Sequence, residues 1–389
     1  MIAPTVSARL ARRGAAAVAA ALVLAAAACN DSTSPGERLD GQAIFRFDTF
    51  GDDAFWTDTL KLNEVIESAV SPRTALAVGL KVDADALPPG ILATADLDDP
   101  ATTVALLKLG AVVGVQAQVD DNSHITRIGI TCALCHSTVD NSVAPGIGKR
   151  LDGWPNREID PGLILSLSPA LQEPATQAVL KSWGPGRYDA RWNHDGLNGP
   201  VLIPPAYGLR GVALETYTGD GPVSYWNAYV AITQMHGQGT FVDPKTGDDI
   251  HASPDLVTPK LAALRDYQLS LSAPKPQAGS YDAAAAERGA TVFAGAGRCA
   301  SCHSGDTFTD AGTRLHEPSE TGMEPLHAQR STTKKYRTTP LRGLLTHAPY
   351  FHDGSAATLR AVIDHYDSYL HLGLTEQQKL DLEEYLKTL

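Results

Sequence analysis

The chain has 389 residues, which is enough for two or three domains of ordinary size. Apolar residues make up 43% and charged residues 20%, close to the soluble average, and this composition excludes disordered, fibrous and polytopic membrane proteins. The formal net charge of −12 argues against a nucleic-acid partner, because phosphate binding requires a basic surface. A basic protein partner fits this charge better.

The chain begins with the pattern of a signal peptide. Three arginines between residues 9 and 13 precede an apolar run at residues 15–28. This run is too short to span a bilayer and ends in small residues, as expected at a cleavage site. We therefore predict that residues 1–28 are a signal peptide and that the protein is exported to the periplasm.

The residues around the predicted cleavage site resemble a bacterial lipoprotein signal. Three alanines precede Cys29 and a polar stretch follows it, although Ala26 stands where such signals usually have Leu. The resemblance implies that Cys29 is lipidated, that residues 29–40 are a polar tether, and that a lipid anchor holds the protein at a membrane. The alternative is ordinary cleavage after Ala-x-Ala, with Cys29 left as a free thiol or removed.

Residues 41–131 form an N-terminal extension whose sequence pattern predicts no catalytic or binding function. A helix is expected near residues 60–70. Hydrophobic residues alternate over residues 113–119, a polar turn follows at residues 120–123, and a second apolar run reaches Ile130. Alternation interrupted by a turn predicts a β-hairpin. The rest of the extension is expected to be irregular.

Two Cys-x-x-Cys-His segments account for four of the five cysteines, and the fifth is Cys29. One helical turn separates the two sulfurs, so both reach the vinyl groups on one edge of a porphyrin, and the following His is carried to the iron. The pattern predicts two covalently bound haem c groups. The residues concerned are Cys132, Cys135 and His136 in the first motif, and Cys299, Cys302 and His303 in the second.

Cys-x-x-Cys pairs also occur in thioredoxin-like redox sites and in zinc sites. A zinc site would have to join pairs that are more than 160 residues apart in the sequence. A thioredoxin-like site does not require the His, and neither alternative explains two copies in an exported chain. Haem attachment therefore remains the preferred interpretation.

Three landmarks recur in the same order after the two motifs, which indicates an internal repeat. They are a Pro-rich segment ending in Leu-Arg-Gly, an Asp-Gly pair that opens an apolar stretch, and a final helix. In the first copy they lie at residues 205–211, 220–235 and 259–271, and in the second at residues 340–343, 353–366 and 375–389. We predict a mainly α fold with two cytochrome c-like haem domains in tandem, at residues 132–271 and 281–389, joined by a linker at residues 272–280.

Two helices of the second unit are predicted from local signals. Thr375 and Gln378 have the spacing of a capping box, and the apolar residues that follow share one helical face. An Ala-rich helix at residues 283–293 precedes the second motif and ends at glycines. This segment resembles the first helix of class I cytochromes c, and the resemblance implies that Gly289 and Phe293 meet Tyr385.

The second unit resembles the C-terminal domain of bacterial dihaem cytochrome c peroxidases, which MauG-type oxidases share. The resemblance is carried by Tyr-Arg-Thr-Thr-Pro-Leu-Arg-Gly at residues 336–343 and by Ala-Pro-Tyr-Phe-His-Asp-Gly-Ser-Ala-Ala-Thr-Leu at residues 348–359. Peroxidases of this family place a Met ligand where this chain has Tyr366, whereas MauG-type proteins carry a Tyr there. The resemblance therefore implies that Tyr366 is the sixth ligand of the second haem. The alternatives are Met323, His352 or His365, with Tyr366 as a core aromatic.

The first unit matches the peroxidase pattern less well, because no His follows His136 until His194. By the repeat, its sixth ligand is expected at the end of the stretch that closes with Met235 and His236. The resemblance implies a peroxidase-like oxidoreductase that works with a redox partner protein and acts on hydrogen peroxide or a small organic substrate. The alternatives are a pure electron carrier and a haem relay subunit of a dehydrogenase or oxidase.

Overall fold

The computed structural model describes residues 39–389. The predictions for the signal peptide and for lipidation of Cys29 lie outside these residues. Within them no helix is long and apolar enough to cross a membrane. The α-helices are Gly41–Phe47, Leu62–Ala69, Pro72–Ala77, Pro100–Lys108, Ala133–His136, Pro161–Ser166, Pro174–Trp183, Trp192–Asp195, Val223–Tyr229, Leu261–Ser270, Ala283–Ala294, Pro318–Thr321, Leu326–Gln329, Leu359–Tyr369 and Glu376–Leu386.

Short π and 3-10 segments extend or connect these helices. The π segments are Phe55–Thr59 and Val230–Gln234, and the 3-10 segments are Ala84–Ala86, Ile91–Ala93, Pro169–Leu171, Thr258–Lys260, Cys299–Ser301 and Leu344–Thr346. The second π segment continues the helix Val223–Tyr229 up to Met235, so the apolar stretch predicted there is helical along most of its length.

The strands form five two-stranded sheets among the described residues. Val82–Asp83 pairs in parallel with Ile147–Gly148, and the antiparallel pairs are Val115–Val119 with Ile125–Ile130, Ser137–Val139 with Arg150–Asp152, Arg187–Tyr188 with Val201–Leu202, and Thr240–Asp243 with Asp248–His251. A mainly α chain with small sheets agrees with the predicted class. The hairpin predicted before the first motif is confirmed, with Val115 opposite Ile130.

The helices of the second unit are also confirmed. Thr375 caps Glu376–Leu386 and forms the predicted capping box with Gln378. Ala283–Ala294 crosses this last helix at Gly289, where an added Cβ would lie 1.9 Å from the carbonyl oxygen of Asp381. The rings of Phe293 and Tyr385 are 5.1 Å apart. The close crossing requires glycine because the two backbones are in contact.

Three buried hydrophobic clusters form the core, and the N-terminal extension supplies a large part of two of them. One centres on Tyr229 and includes Phe45 and Phe50, and another contains Trp56 and the hairpin. The third lies between the helices of the second unit. Residues 272–280 contain no helix or strand. Residues 40–389 together form one compact unit, so the tandem division remains a prediction.

Candidate functional site

The first Cys-x-x-Cys-His motif lies on the short helix Ala133–His136, directly after the hairpin. The backbone N–H of His136 donates to the carbonyl of Cys132 at 3.1 Å, so the His is held one turn beyond the first sulfur. Gly114 passes against this turn with φ +77°, and a Cβ there would lie 2.1 Å from the backbone nitrogen of Leu134. The hairpin therefore fixes the position of the motif by direct backbone contact.

His136 is oriented by a backbone carbonyl. Its Nδ1 lies 3.0 Å from the carbonyl oxygen of Pro204, and burial lowers its pKa to about 4. The imidazole is therefore neutral at physiological pH, with its proton on Nδ1, where the carbonyl accepts it. This tautomer leaves the Nε2 lone pair available to a metal ion.

The two thiols of this motif lack the features of a redox dithiol. Burial raises the pKa of Cys132 and of Cys135 to about 12, whereas reactive cysteines have a lowered pKa. Within the described part of the chain, no third metal-binding side chain groups with them as a zinc site requires. Two protonated thiols and one neutral, oriented imidazole match the needs of haem attachment.

A cavity of about 500 Å³ adjoins these three residues. Its volume lies in the range of small-molecule and cofactor sites. Its walls are mostly apolar, and the extension supplies many of them, including Phe55, Leu62, Ile66, Leu107 and Val115. The sequence pattern of the extension indicated no role for it. Apolar residues on a helix and a hairpin indicate burial but do not show what they are buried against.

Polar groups at the cavity wall also fit a haem, which has an apolar ring and two carboxylates. The indole Nε1 of Trp226 and the Nε and Nη1 atoms of Arg337 are buried without a hydrogen-bond partner in residues 39–389, and both side chains line the cavity. Buried donors are nearly always satisfied in folded proteins. An apolar cavity with unpaired donors is therefore suited to an amphipathic anion such as haem.

Both candidate sixth ligands of the first haem lie at the wall of this cavity. Met235 is 4% exposed, and its carbonyl accepts a hydrogen bond from Trp56 Nε1 at 3.0 Å. His236 follows with φ +64°, and its ring stacks on Phe55 with a centroid distance of 3.7 Å. The residue is exposed on one side, and partial burial of its ring lowers the pKa of His236. That Met235 or His236 binds the iron remains a prediction.

At the second motif a backbone carbonyl likewise faces the histidine. His303 Nδ1 lies 3.1 Å from the carbonyl oxygen of Phe308. Burial lowers the pKa of His303, and hydrogen bonding to the backbone of Phe308 and of Thr339 opposes this shift. Thr339 precedes Pro340 of the repeat, as Pro204 precedes Pro205 beside His136. The recurring Pro-rich segment therefore lies against the motif histidine in both copies.

Tyr366 lies close to the second motif. Burial and the neighbouring thiols of Cys299 and Cys302 raise the pKa of its hydroxyl. Phe351 packs edge-on against its ring at 5.9 Å. The helix Leu359–Tyr369 places it there, with Thr358 as the N-cap. The structure thus places Tyr366 near the two cysteines of the second motif, and its role as an iron ligand remains a prediction.

The alternatives to Tyr366 have other contacts. His365 Nε2 donates to the carbonyl oxygen of Thr321 at 2.8 Å. The ring of His352 packs on Tyr336 at 4.7 Å and faces its hydroxyl at 3.2 Å. Met323 is half-buried in the loop after Pro318–Thr321. Tyr366 interacts electrostatically with both motif cysteines, and the choice among the four candidates remains a prediction.

A protein-family search finds no matching family model. A curated relative is the methylamine utilization protein MauG of Methylorubrum extorquens, 30% identical over 120 residues. The chain resembles the MauG-type dihaem cytochromes. The match covers 27% of this chain and 34% of the relative, so the chain spans about a third of the length of that protein. The predicted MauG-type resemblance is confirmed, while the activity of the whole relative remains a matter for proposal.

Two solved structures also show similarity. One is a hydrazine synthase of Kuenenia stuttgartiensis, with 20% identity, a TM-score of 0.32, and coverage of 49% of this chain and 73% of that chain. The other is a MauG-like protein associated with microbial copper homeostasis, with 24% identity, a TM-score of 0.27, and coverage of 38% and 55%. TM-scores this low do not establish a shared overall fold.

Proposed function

We propose that this protein is an exported dihaem c-type cytochrome with peroxidase-like oxidoreductase activity. Thioethers to Cys132 and Cys135 hold the first haem, and His136 is its iron ligand. Cys299, Cys302 and His303 do the same for the second haem. The observation that carries the proposal is the apolar cavity at the first motif, whose His136 is neutral and oriented by Pro204. The MauG-type relative supports the same class of reaction.

The residues that line the cavity would have distinct roles in this reaction. Bound haem would supply electron transfer and the reduction of peroxide or oxidation of a small organic substrate. The extension excludes water from the cavity with apolar side chains such as Phe55 and Leu62. His236 lines the same cavity at its exposed edge, and its lowered pKa favours the neutral form of the imidazole. A neutral imidazole would accept a proton from a bound peroxide and return it to the leaving oxygen.

A pure electron carrier that exchanges electrons with a partner protein is the second candidate function. It is favoured by the position of Met235, a buried thioether at the wall of the same cavity. If Met235 and the equivalent group of the second haem both bind iron, no position remains for peroxide. The absorption and electron paramagnetic resonance spectra of the ferric protein separate the two functions. A high-spin component supports the peroxidase-like function, and two low-spin haems support the carrier.

Covalent attachment is tested with the double variant Cys132→Ser, Cys135→Ser. We expect the intact mass to fall by one haem, because the second motif still carries its own group. The matched variant Cys299→Ser, Cys302→Ser should lose the other haem. Comparing peroxide turnover by the two variants then shows which haem reacts. An unchanged mass in either variant contradicts the assignment of that motif.

A further inference from the structure

Arg337 belongs to the second predicted unit, but its side chain lines the cavity of the first motif. Its backbone N–H donates to the carbonyl oxygen of Tyr217 in the first unit at 2.9 Å. His327 of the second unit also lines the cavity and is held by two contacts with the first unit, at Gly199 O and at the Tyr217 hydroxyl. The second unit therefore closes one side of the first cavity.

Arg337 shares its neighbouring carboxylate with another arginine. The acidic group that interacts with Arg337 is Glu215. This carboxylate already pairs with Arg265 and accepts the backbone N–H of Val223 at 2.7 Å. The Nε and Nη1 atoms of Arg337 have no partner in residues 39–389. A buried guanidinium that shares its carboxylate and leaves two nitrogen atoms unpaired is unfavourable, so the site is suited to a further anion.

We propose that Arg337 binds a propionate carboxylate of the first haem. This inference rests on the proposed function, because it requires a haem attached at Cys132 and Cys135. The haem ring occupies the apolar part of the cavity, and its carboxylate pairs with the planar guanidinium. One haem is then held by both units. The charge on Arg337 stabilises the reduced iron of the first haem and keeps the propionate ionised.

The test is the potential of each haem in the full-length holoprotein, measured by redox titration at several pH values. In Arg337→Gln we expect both haems to remain attached and one potential to fall, because a nearby positive charge has been removed. The pH dependence of that potential should move to higher pH, because the propionate then holds its proton more tightly. In Arg337→Lys the potential should return towards the wild-type value, because the charge is kept.

Arg342→Gln is the matched control. Arg342 lies in the same segment and donates to the carbonyl oxygens of Gly208 and Arg210 in the first unit at 2.7 and 2.9 Å, but it does not line the cavity. We expect this variant to leave both potentials unchanged. An equal shift in Arg342→Gln and Arg337→Gln would show that the shift reports loosening of the interface and would overturn the proposal.

Several other results would contradict the role of Arg337. Unchanged potentials and pH dependence in Arg337→Gln overturn the proposal. If that variant does not fold, the propionate bending modes in the resonance Raman spectrum of the wild type replace it, and modes typical of propionates without a hydrogen bond overturn the proposal. Saturable binding of acetate that Arg337→Gln abolishes without a change in potential shows that the site takes a free carboxylate instead. If the intact mass of the wild-type protein does not include two haems, the proposed function itself is refuted.

Discussion

Two histidines, His136 and His303, follow the cysteine pairs, and a backbone carbonyl faces the Nδ1 atom of each. The carbonyl fixes which nitrogen carries the proton, and burial keeps both rings neutral. The orientation of each ring is therefore fixed by the fold before any metal is bound. At the residue scale, the remaining question is which group binds the sixth position of each iron.

Tyr366→Phe tests the sixth ligand of the second haem. If the hydroxyl binds iron as phenolate, it stabilises the ferric state, and its loss should raise the potential of that haem and change the ferric spectrum. Peroxide turnover should change as well. Tyr369→Phe is the control, because Tyr369 lies on the same helix and donates its hydroxyl to Ser319 O at 2.7 Å, away from the motif. If Tyr366→Phe keeps the wild-type spectrum, potential and turnover, Tyr366 is a packing residue and the electron carrier is favoured.

We expect Asp52 to make the stability of the fold depend on pH. Its side chain is fully buried beside Gly129, its Oδ1 has no partner in the described residues, and burial raises its pKa to about 9. In the unfolded chain the pKa is about 3.9. Between these values the folded state binds one proton more than the unfolded state, so the free energy of unfolding falls as pH rises, by up to about 1.4 kcal/mol per pH unit.

Asp52→Asn should remove this contribution, because the amide does not titrate. We expect a flatter dependence of the urea midpoint on pH between about 5 and 8 in the variant than in the wild type. Asp53→Asn, at a half-exposed neighbouring position, should keep the wild-type slope. Parallel wild-type and Asp52→Asn profiles would show that the buried carboxyl does not govern this dependence.

At the scale of elements, helices and strands meet by direct backbone contact. Ala283–Ala294 crosses Glu376–Leu386 at Gly289, and the hairpin meets the first motif at Gly114. The recurring Leu-Arg-Gly segments of the two units also touch, since Arg342 donates to the carbonyl of Arg210. These contacts place each motif relative to the elements that enclose it.

Gly289→Ala tests the helix crossing. The new methyl group would overlap the Asp381 carbonyl at 1.9 Å, so the helices must move apart. Overpacking of this kind costs about 1–3 kcal/mol, more than the gain of about 1 kcal/mol in helix propensity. We expect a lower thermal midpoint for the holoprotein. Glu287→Ala, at an exposed position of the same helix, is the control, and equal stability of the two variants would contradict a tight crossing.

At the scale of the whole molecule, the first cavity is assembled from three parts of the chain. The extension supplies apolar walls such as Phe55, the first unit supplies the motif, and the second unit supplies Arg337 and His327. The acidic surface expected from a net charge of −12 suits a basic redox partner. Where the molecule operates depends on its predicted export signal and lipid anchor.

Cys29→Ser tests the predicted anchor. We expect the wild-type protein to fractionate with membranes and the variant to be released into the soluble periplasmic fraction. A single acyl chain binds membranes only marginally, so firm retention of the wild type requires more than one chain. Cys132→Ser, which changes a cysteine away from the signal, should stay with membranes. A soluble wild type, or a variant that fractionates as the wild type does, would contradict lipidation.

The sequence by itself determined the features that depend on local pattern. The motif spacing identified His136 and His303, the capping signals located the last helix, and alternation located the hairpin. The resemblance supplied the pairing of Gly289 with Tyr385 and the position of Tyr366. The motif, the capping signals and the hairpin each depend on residues that are close in the sequence, and short-range chemistry is sufficient to define them.

Only the tertiary structure decided what encloses the first motif. Nothing local distinguishes an apolar residue that packs in a core from one that lines a cavity, so the role of the extension could not be predicted. Arg337 lies 201 residues after His136, and the sequence does not show that it reaches the first cavity. Nor does the sequence show that its Nε and Nη1 atoms lack a partner among the described residues. Burial and pairing of charges are properties of contacts between distant segments, and these exist only once the chain has folded.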